Sequence, residues 1–277
     1  MYAKRQRSEQ PDQSPFAASA MFSDRSSCDL RGQRCAVLGA TSGIGRAVAL
    51  ALAEAGSDVI VHGRRSLQTA EELAAELRSR GVRSQVLMAD LADRDAGDRL
   101  VDEAWNVWGG LDAWLQIAGA DTLTGAHARL PFDAKLDLLW SVDVVATIRL
   151  CRGIGQRMKT QGHGSIVTMG WDQAETGMEG DSGELFAAAK GAIMAFTRSL
   201  ALSLAPEVRV NALAPGWIKT AWGESASSTW QQRVLRETPL ARWGTPEDVA
   251  WVACFLVSSA SGFMTGQVIR INGGAVR

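Results

Sequence analysis

A glycine-rich turn near the start of the chain has the residue types and spacing of a phosphate-binding loop. Its sequence is Gly39-Ala40-Thr41-Ser42-Gly43-Ile44-Gly45. Glycines at these positions allow a tight turn, a close approach of backbone N–H groups to a pyrophosphate, and close packing of helix on strand. A plain turn between a strand and a helix can also be rich in glycine, so the interpretation depends on the elements around it.

A second group of residues indicates which dinucleotide such a loop would bind. After the next apolar run the chain reads His62-Gly63-Arg64-Arg65. A site for NAD(H) needs a carboxylate here to accept a hydrogen bond from the ribose 2′-hydroxyl, whereas a 2′-phosphate favours a cation and no carboxylate. Gly63 followed by Arg64 therefore predicts NADP(H) in preference to NAD(H). The alternative is a pair of solvated arginines at the start of a helix.

An acidic segment in the second half of the chain could do acid–base chemistry. Residues 172–184 carry five carboxylates and no basic residue. Burial or like-charge crowding could raise the pKa of one of them, which would then act as an acid near neutral pH. For any single member of the segment, a solvated loop charge is the stronger interpretation.

These residues lie on a regular alternation of short apolar runs and helical segments. The runs are at 35–39, 58–62, 84–89, 113–118, 165–169, 208–213 and 267–271, and the helical segments at about 43–56, 66–80, 93–108, 132–160, 184–205, 224–237 and 246–258. Because right-handed βαβ crossovers place helices on both faces of a sheet, the pattern predicts an α/β fold, a doubly wound, seven-stranded parallel sheet of the Rossmann type. We expect one domain over residues 31–277, preceded by a polar extension over residues 1–30.

The order of motifs resembles the short-chain dehydrogenase/reductase family, and 3-oxoacyl-carrier-protein reductases within it, over nearly all of residues 32–277. Besides the glycine turn, the matching elements are Asp90, Ala118-Gly119, Gly164-Ser165-Ile166-Val167, Lys190, Val210-Asn211-Ala212, the segment 215–220 and Asn272-Gly273-Gly274. The resemblance implies an oxidoreductase that binds NADP(H). It also implies that Asp90 contacts the adenine edge, that Ile218 and Thr220 hold the carboxamide, and that Lys190 bonds the nicotinamide ribose.

The full set of cofactor contacts predicted in this way lies on the glycine turn and at the ends of the later strands. It comprises Gly39, Thr41, Ser42, Gly43, Ile44, Gly45, Arg64, Asp90, Leu91, Ala118, Gly119, Lys190, Pro215, Gly216, Ile218 and Thr220.

The predicted catalytic positions depart from the family pattern. The family carries a tyrosine four residues before the lysine, but this chain has Phe186 there, and its one tyrosine is Tyr2. Trp171 stands where a serine is expected to polarise a carbonyl, and Asp143 stands where an asparagine anchors a proton-relay water. Of the four expected groups, Lys190 alone is kept. A phenylalanine can neither donate nor accept a proton.

Other side chains near these positions could supply the missing acid or shape the pocket. Asp172 and Glu184 flank the expected catalytic positions and are the preferred candidates. Ser182, one helical turn before Phe186, is a weaker candidate, since it could equally be the N-cap of the helix. Trp171, Trp217 and Trp222 fall where the family places its substrate, and could form an apolar slot that stacks a planar small molecule.

The motifs and their departures support three functional hypotheses. The first is an NADP(H)-dependent oxidoreductase that reduces an activated C=C or C=N bond, or a carbonyl served by a carboxylic acid. The second is a non-catalytic NADP(H)-binding sensor or structural protein. The third is a non-redox lyase or isomerase that uses the acidic segment 172–184. The first is favoured because most chains of this fold are oxidoreductases, although fold alone does not establish function.

Composition excludes several other classes. With 29 basic and 30 acidic residues in 277, the chain lacks the charge footprint of a nucleic-acid-binding protein. No apolar run reaches the length of a membrane span, and the first thirty residues lack the apolar core of a secretory signal. The four cysteines are scattered, which predicts neither a metal site nor disulfides and suits a cytoplasmic protein. The family resemblance and two long apolar helices, at 132–160 and 184–205, predict a homodimer or homotetramer.

Overall fold

The computed structural model describes residues 28–122 and 126–275. Within them, seven strands form one parallel sheet in the order β3-β2-β1-β4-β5-β6-β7. The strands are β1 (Arg34–Leu38), β2 (Asp58–Gly63), β3 (Ser84–Met88), β4 (Ala113–Gln116), β5 (Gly164–Met169), β6 (Val208–Pro215) and β7 (Val268–Ile271). The predicted doubly wound parallel sheet is confirmed. From β1 to β3 each new strand is added on one side of β1, and from β4 onwards each is added on the other side. This reversal opens a crevice at the carboxyl ends of β1 and β4.

Helices cover both faces of the sheet and bury an apolar core on each. They are α1 (Gly43–Glu54), α2 (Leu67–Ser79), α3 (Arg94–Val107), α4 (Phe132–Leu139), α5 (Ala146–Gln161), α6 (Asp181–Leu204), α7 (Ala221–Ser225), α8 (Ser228–Glu237) and α9 (Pro246–Val257). One core joins α1, α2 and α9 to the sheet, and the other joins α3, α5 and α6 to its opposite face. Because both faces are covered, the central strands are buried along nearly their whole length, with no alternation of buried and exposed residues.

Three predicted helices have different bounds in the structure. The segment predicted over 132–160 is interrupted by a π-helical turn at Trp140–Val145, which separates α4 from α5. The helix predicted over 184–205 begins three residues earlier, at Asp181, and the one predicted over 224–237 is divided into α7 and α8. A π-helical turn inserts one extra residue into a helix without changing the apolar spacing on either side, so periodicity does not indicate it.

The described residues begin at Cys28, before the predicted domain boundary at residue 31. Leu30 is fully buried, and its backbone N–H donates to the carbonyl oxygen of Ala55 at 2.8 Å. These contacts attach the lead-in to the end of α1. The rest of the predicted extension, residues 1–27, lies outside the described residues.

By length and composition alone, α6 is long and apolar enough to cross a membrane. The apolar runs of the sequence did not indicate this. In the structure α6 packs along β5 and β6, and Ile193, Thr197 and Leu200 are among its buried residues. A core helix of a globular domain has the same composition, because it is apolar on most of its surface.

One buried histidine holds the glycine turn against the sheet. His62, at the end of β2, accepts a hydrogen bond at Nδ1 from the backbone N–H of Gly39, with a separation of 3.1 Å. Its Nε2 lies 3.1 Å from the carbonyl oxygen of Ala89, just beyond β3. This pair of contacts requires a neutral ring with the proton on Nε2. Burial lowers the pKa of His62 to about 4.

We predict that His62→Asn gains stability relative to the wild type as the pH falls from 6.5 to about 4. The folded protein keeps the ring neutral while the unfolded chain takes up a proton, so acid lowers the wild-type free energy of unfolding by about 3 kcal/mol in total. The variant lacks this titration. At neutral pH it should be about 1 kcal/mol less stable, because the carbonyl of Ala89 loses its donor.

Urea denaturation of both proteins at several pH values measures the difference directly. Parallel stability profiles for the two proteins across the acid range would show that His62 is not held neutral.

Candidate active site

A groove of about 540 Å³ opens at the carboxyl ends of β1 and β4, where the strand order reverses. It runs from the end of β2, across the glycine turn, to the middle of α6. Of the predicted cofactor contacts, its lining includes Gly39, Thr41, Ser42, Gly43, Ile44, Gly45, Arg64, Leu91, Ala118, Gly119, Lys190 and Thr220. The structure therefore brings most of the predicted set together in one continuous surface.

The glycine turn has the shape that a bound pyrophosphate requires. Gly39 has a φ of +77°, and a Cβ atom on it would lie 2.7 Å from the Cα of Ala118. A Cβ on Gly45 would lie 2.1 Å from the carbonyl oxygen of Gly39. The side chain of Ser42 does not cap α1, so the first N–H groups of that helix remain available to an anion in the groove. These residues fit a dinucleotide.

The end of the groove at β2 carries a cation. Arg64 is half-buried and lines the groove, whereas Arg65 is exposed and lies outside the lining. Asp90 is also exposed and outside the lining, and its carboxylate accepts from the backbone N–H of Ala92 at 3.0 Å. Its neighbour Leu91 contributes to the groove instead.

A smaller apolar chamber of about 220 Å³ adjoins the other end of the groove. The two cavities share Ile44, Met169, Phe186, Lys190 and Thr220. The remaining walls of the chamber come from Gly170, Trp171, Met178, Ser182, Pro215, Gly216, Trp217 and Ile218. The rings of Trp171 and Phe186 meet edge to face, with centroids 6.2 Å apart. The side chain of Trp222 lies outside the described part of the chain.

A buried ion pair lies where the groove and the chamber meet. The Nζ atom of Lys190 is 2.7 Å from Oδ2 of Asp143, and their side chains are 7% and 0% exposed. Oδ1 of Asp143 accepts from the backbone N–H of Ala120 at 2.7 Å. The carboxylate thus joins the loop after β4 to α6, and the π-helical turn at Trp140–Val145 is the element that carries it.

Most of the acidic segment is directed away from the chamber. Glu175 pairs with Arg198 and Arg270, and Glu179 pairs with Arg233 at 2.7 Å. Glu184 is exposed in the first turn of α6 and lines neither cavity. Ser182, the weaker candidate, does line the chamber. In the described ranges 28–122 and 126–275, no group of three metal-ligating side chains lies together.

Asp172 is fully buried, but it contributes to neither the groove nor the chamber. Its carboxylate accepts from the backbone N–H of Gln173 at 2.8 Å and from Nδ2 of Asn272 at 3.2 Å. Burial raises the pKa of Asp172 to about 6. The two adjoining wall residues, Trp171 and Gly216, line the chamber, so Asp172 supports that wall from behind.

Sequence reasoning missed two residues that shape the site. His62 lines the groove and fixes the turn at Gly39, and Met178 lines the chamber beside Trp217. His62 could have been found because it is a polar residue in the apolar run of β2, and a buried polar group requires hydrogen-bond partners. Nothing in the local sequence indicates Met178, whose position depends on the packing of the acidic segment on α8.

Comparison with known proteins agrees with this geometry. A sequence model described as enoyl-(acyl carrier protein) reductase matches residues 39–276. A 3-oxoacyl-[acyl-carrier-protein] reductase of Aquifex aeolicus is 34% identical over 252 residues, covering 88% of this chain and 98% of its own. This chain is a short-chain dehydrogenase/reductase. Its curated relatives include dehydrogenases and reductases, which are oxidoreductases.

Solved structures of similar proteins contain both nicotinamide cofactors. A gluconate 5-dehydrogenase from Burkholderia cenocepacia, in complex with NADP and tartrate, is 26% identical with a TM-score of 0.80, covering 90% of this chain and 97% of its own. A 7α-hydroxysteroid dehydrogenase, in complex with NADH and 7-oxoglycochenodeoxycholic acid, is 27% identical with a TM-score of 0.82, covering 90% and 96%. The choice between the cofactors therefore depends on this chain's own residues.

We predict strong energetic coupling between Asp143 and Lys190. Asp143→Asn keeps an acceptor for Ala120 but leaves the ammonium buried without a counter-charge, and Lys190→Met leaves the carboxylate unpaired. Each should lower the free energy of unfolding by about 3–5 kcal/mol. The double variant should lose clearly less than the sum, because neither charge remains.

Urea denaturation of the four proteins gives the coupling. The surface pair of Arg233 and Glu179, whose side chains are 26% and 75% exposed, is the control, with an expected coupling below about 1 kcal/mol. Additive losses at Asp143 and Lys190 would contradict the ion pair.

We also predict that Asp172→Asn gains stability relative to the wild type as the pH rises from 3.8 to about 6. Between these values the folded protein binds a proton that the unfolded chain has released, so the wild type loses about 3 kcal/mol as the pH rises through the window. The loss is complete above the folded pKa. Glu184→Gln, a change to an exposed carboxylate in the same segment, should follow the wild type within about 0.5 kcal/mol at every pH.

Proposed function

We propose that this protein is an NADP(H)-dependent oxidoreductase that reduces an activated C=C or C=N bond without a phenolic proton donor. The observation that carries the proposal is the continuity of the two cavities at Lys190. A groove with the features of a dinucleotide site leads directly into an apolar chamber large enough for a small planar molecule. A protein that only bound the nucleotide would have no need of the adjoining chamber.

The residues that would hold the cofactor are those of the groove. The first turn of α1 and the glycine turn would bind the pyrophosphate, and Arg64 would bind the 2′-phosphate. Lys190 would hold the nicotinamide ribose, with Ile218 and Thr220 at the carboxamide, as the family resemblance implies. When bound in reduced form, the cofactor supplies a hydride.

The chamber residues provide an apolar binding surface. Trp171, Phe186 and Trp217 present aromatic surface to a flat substrate, and Met178 adds an adaptable apolar contact. Asp143 keeps Lys190 fixed at the mouth of the chamber. Because Phe186 has no ionisable group, the reaction must be one that makes little demand on a proton donor.

The other two hypotheses receive less support. The lyase or isomerase would depend on the acidic segment 172–184, but Glu175 and Glu179 are paired with arginines and Glu184 is exposed. The sensor remains the alternative outcome of a turnover assay. Tight binding of NADPH without oxidation across a panel of enones, imines and carbonyl compounds would favour the sensor over the reductase.

The proposal includes a homodimer or homotetramer, as the resemblance implies, and a cytoplasmic location, which the scattered cysteines favour. Leu202 on α6 is 84% exposed and Phe263, before β7, is fully exposed. We expect a second copy to cover these two side chains in the oligomer.

We predict that Arg64→Leu raises the Kd of NADPH about tenfold to a hundredfold while the Kd of NADH stays unchanged. The change removes a charge-assisted contact to the 2′-phosphate, which NADH lacks. Calorimetric titration of both cofactors measures the effect. Arg65→Leu is the matched control and should change neither Kd, because Arg65 lies outside the groove. A wild type that binds NADH as tightly as NADPH would refute the assignment of Arg64.

A further inference from the structure

The chamber contains few groups that could deliver a proton. Among its described lining residues, the side chains that bear an N–H or O–H are Ser182, Thr220, Trp171, Trp217 and Lys190. Hydroxyl and indole groups donate hydrogen bonds but release a proton much less readily than a phenol. The ammonium of Lys190 does carry acidic protons, but it is engaged by the carboxylate of Asp143 at 2.7 Å. A reaction that creates an alkoxide would have to take its proton from this paired ammonium, which would leave the carboxylate of Asp143 buried without its counter-charge.

The charge that lines the chamber is balanced by its ion-pair partner. Lys190 is its one charged lining residue among those the structure describes, and the carboxylate of Asp143 lies 2.7 Å from the ammonium. A lysine without this partner would repel a cationic ligand and attract an anionic one. Because the pair is buried, its two charges cancel at short range with little screening by solvent. A positively charged substrate can therefore enter without net repulsion.

Aromatic side chains form much of the wall. Trp171, Phe186 and Trp217 line the chamber, and the edge-to-face contact of Trp171 with Phe186 fixes the two rings at an interplanar angle of 65°. The faces of aromatic rings attract cations, and the attraction is strongest where water is excluded. The faces of these rings offer an oxyanion no hydrogen-bond donor.

From these observations we infer that the substrate is an iminium cation, a C=N⁺ group on a flat apolar body. This inference rests on the proposed function and names its substrate class. The iminium carbon accepts a hydride from the reduced nicotinamide of NADPH, a C–H bond forms, and the π electrons become the lone pair of a neutral amine. The positive charge passes to the oxidised nicotinamide. No proton is consumed, so the step balances without the tyrosine that Phe186 replaces.

The first test measures binding in the absence of cofactor. The probes are N,N-dimethyl-1,2,3,4-tetrahydroisoquinolinium, a cation that cannot be reduced, and the neutral lactam 2-methyl-3,4-dihydroisoquinolin-1-one. Calorimetry should give a Kd about tenfold lower for the cation. Equal Kd values for the two probes would overturn the inference.

Variants of the ion pair change the charge beside the chamber in opposite directions, so they should change the affinity for the cation in opposite directions. Asp143→Asn leaves a net positive charge and should weaken binding of the cation, whereas Lys190→Met leaves a negative charge and should strengthen it. The double variant carries neither of these two charges and should bind the cation as the wild type does. If neither single variant folds, the comparison of the two probes on the wild type decides the test. The lactam should bind all of them alike. A Kd for the cation in a folded single variant that equals the wild-type value would contradict the inference.

The second test measures turnover of N-methyl-3,4-dihydroisoquinolinium with NADPH. We expect oxidation of NADPH with no solvent deuterium isotope effect, because no proton is transferred. If a conjugated enone is reduced and the iminium is not, the proposed function stands and the inference fails. If NADPH binds but neither compound is reduced, the proposed function itself fails.

Discussion

The ammonium of Lys190 and the carboxylate of Asp143 each make the burial of the other possible. A charge with almost no contact with solvent is costly unless an opposite charge or strong hydrogen bonds compensate it. Here the compensation joins three elements, because Asp143 comes from the π-helical turn, Lys190 from α6, and the N–H of Ala120 from the loop after β4. The groove and the chamber meet at this pair, so the shape of both depends on it.

The fold could be predicted from the sequence because its signals are local and repeated. Seven apolar runs separated by helical periodicity leave few arrangements once crossovers are required to be right-handed. The glycine turn was equally predictable, since Gly39 and Gly45 each occupy a place where a Cβ would collide with backbone. The periodicity did not predict where two of the helical segments are interrupted. The turn at Trp140–Val145 and the division between α7 and α8 depend on tertiary packing, which a short stretch of sequence does not reveal.

The candidate site was predictable only in part, and for a similar reason. Contacts made by the backbone of the glycine turn follow from the strand order. The direction of a loop side chain depends instead on which partners the fold places beside it. Arg198, Arg233 and Arg270 lie far from the acidic segment in sequence, yet they pair with two of its glutamates. Asp172 is close to the chamber along the chain and still points behind its wall, towards Asn272. Proximity in sequence therefore identified residues that lie near the chamber but do not line it.

The helical turn that carries Asp143 also constrains how the chain can change. An α-helix advances by about 100° per residue, so a turn widened by one extra residue rotates the helix before it by that angle relative to the helix after it. Deleting any one residue from 140–145 would restore regular winding and swing α4 around the axis of α5. The apolar side chains of α4 would then leave their contacts, and position 143 would no longer be directed at α6. This stretch should accept substitutions more readily than changes in length.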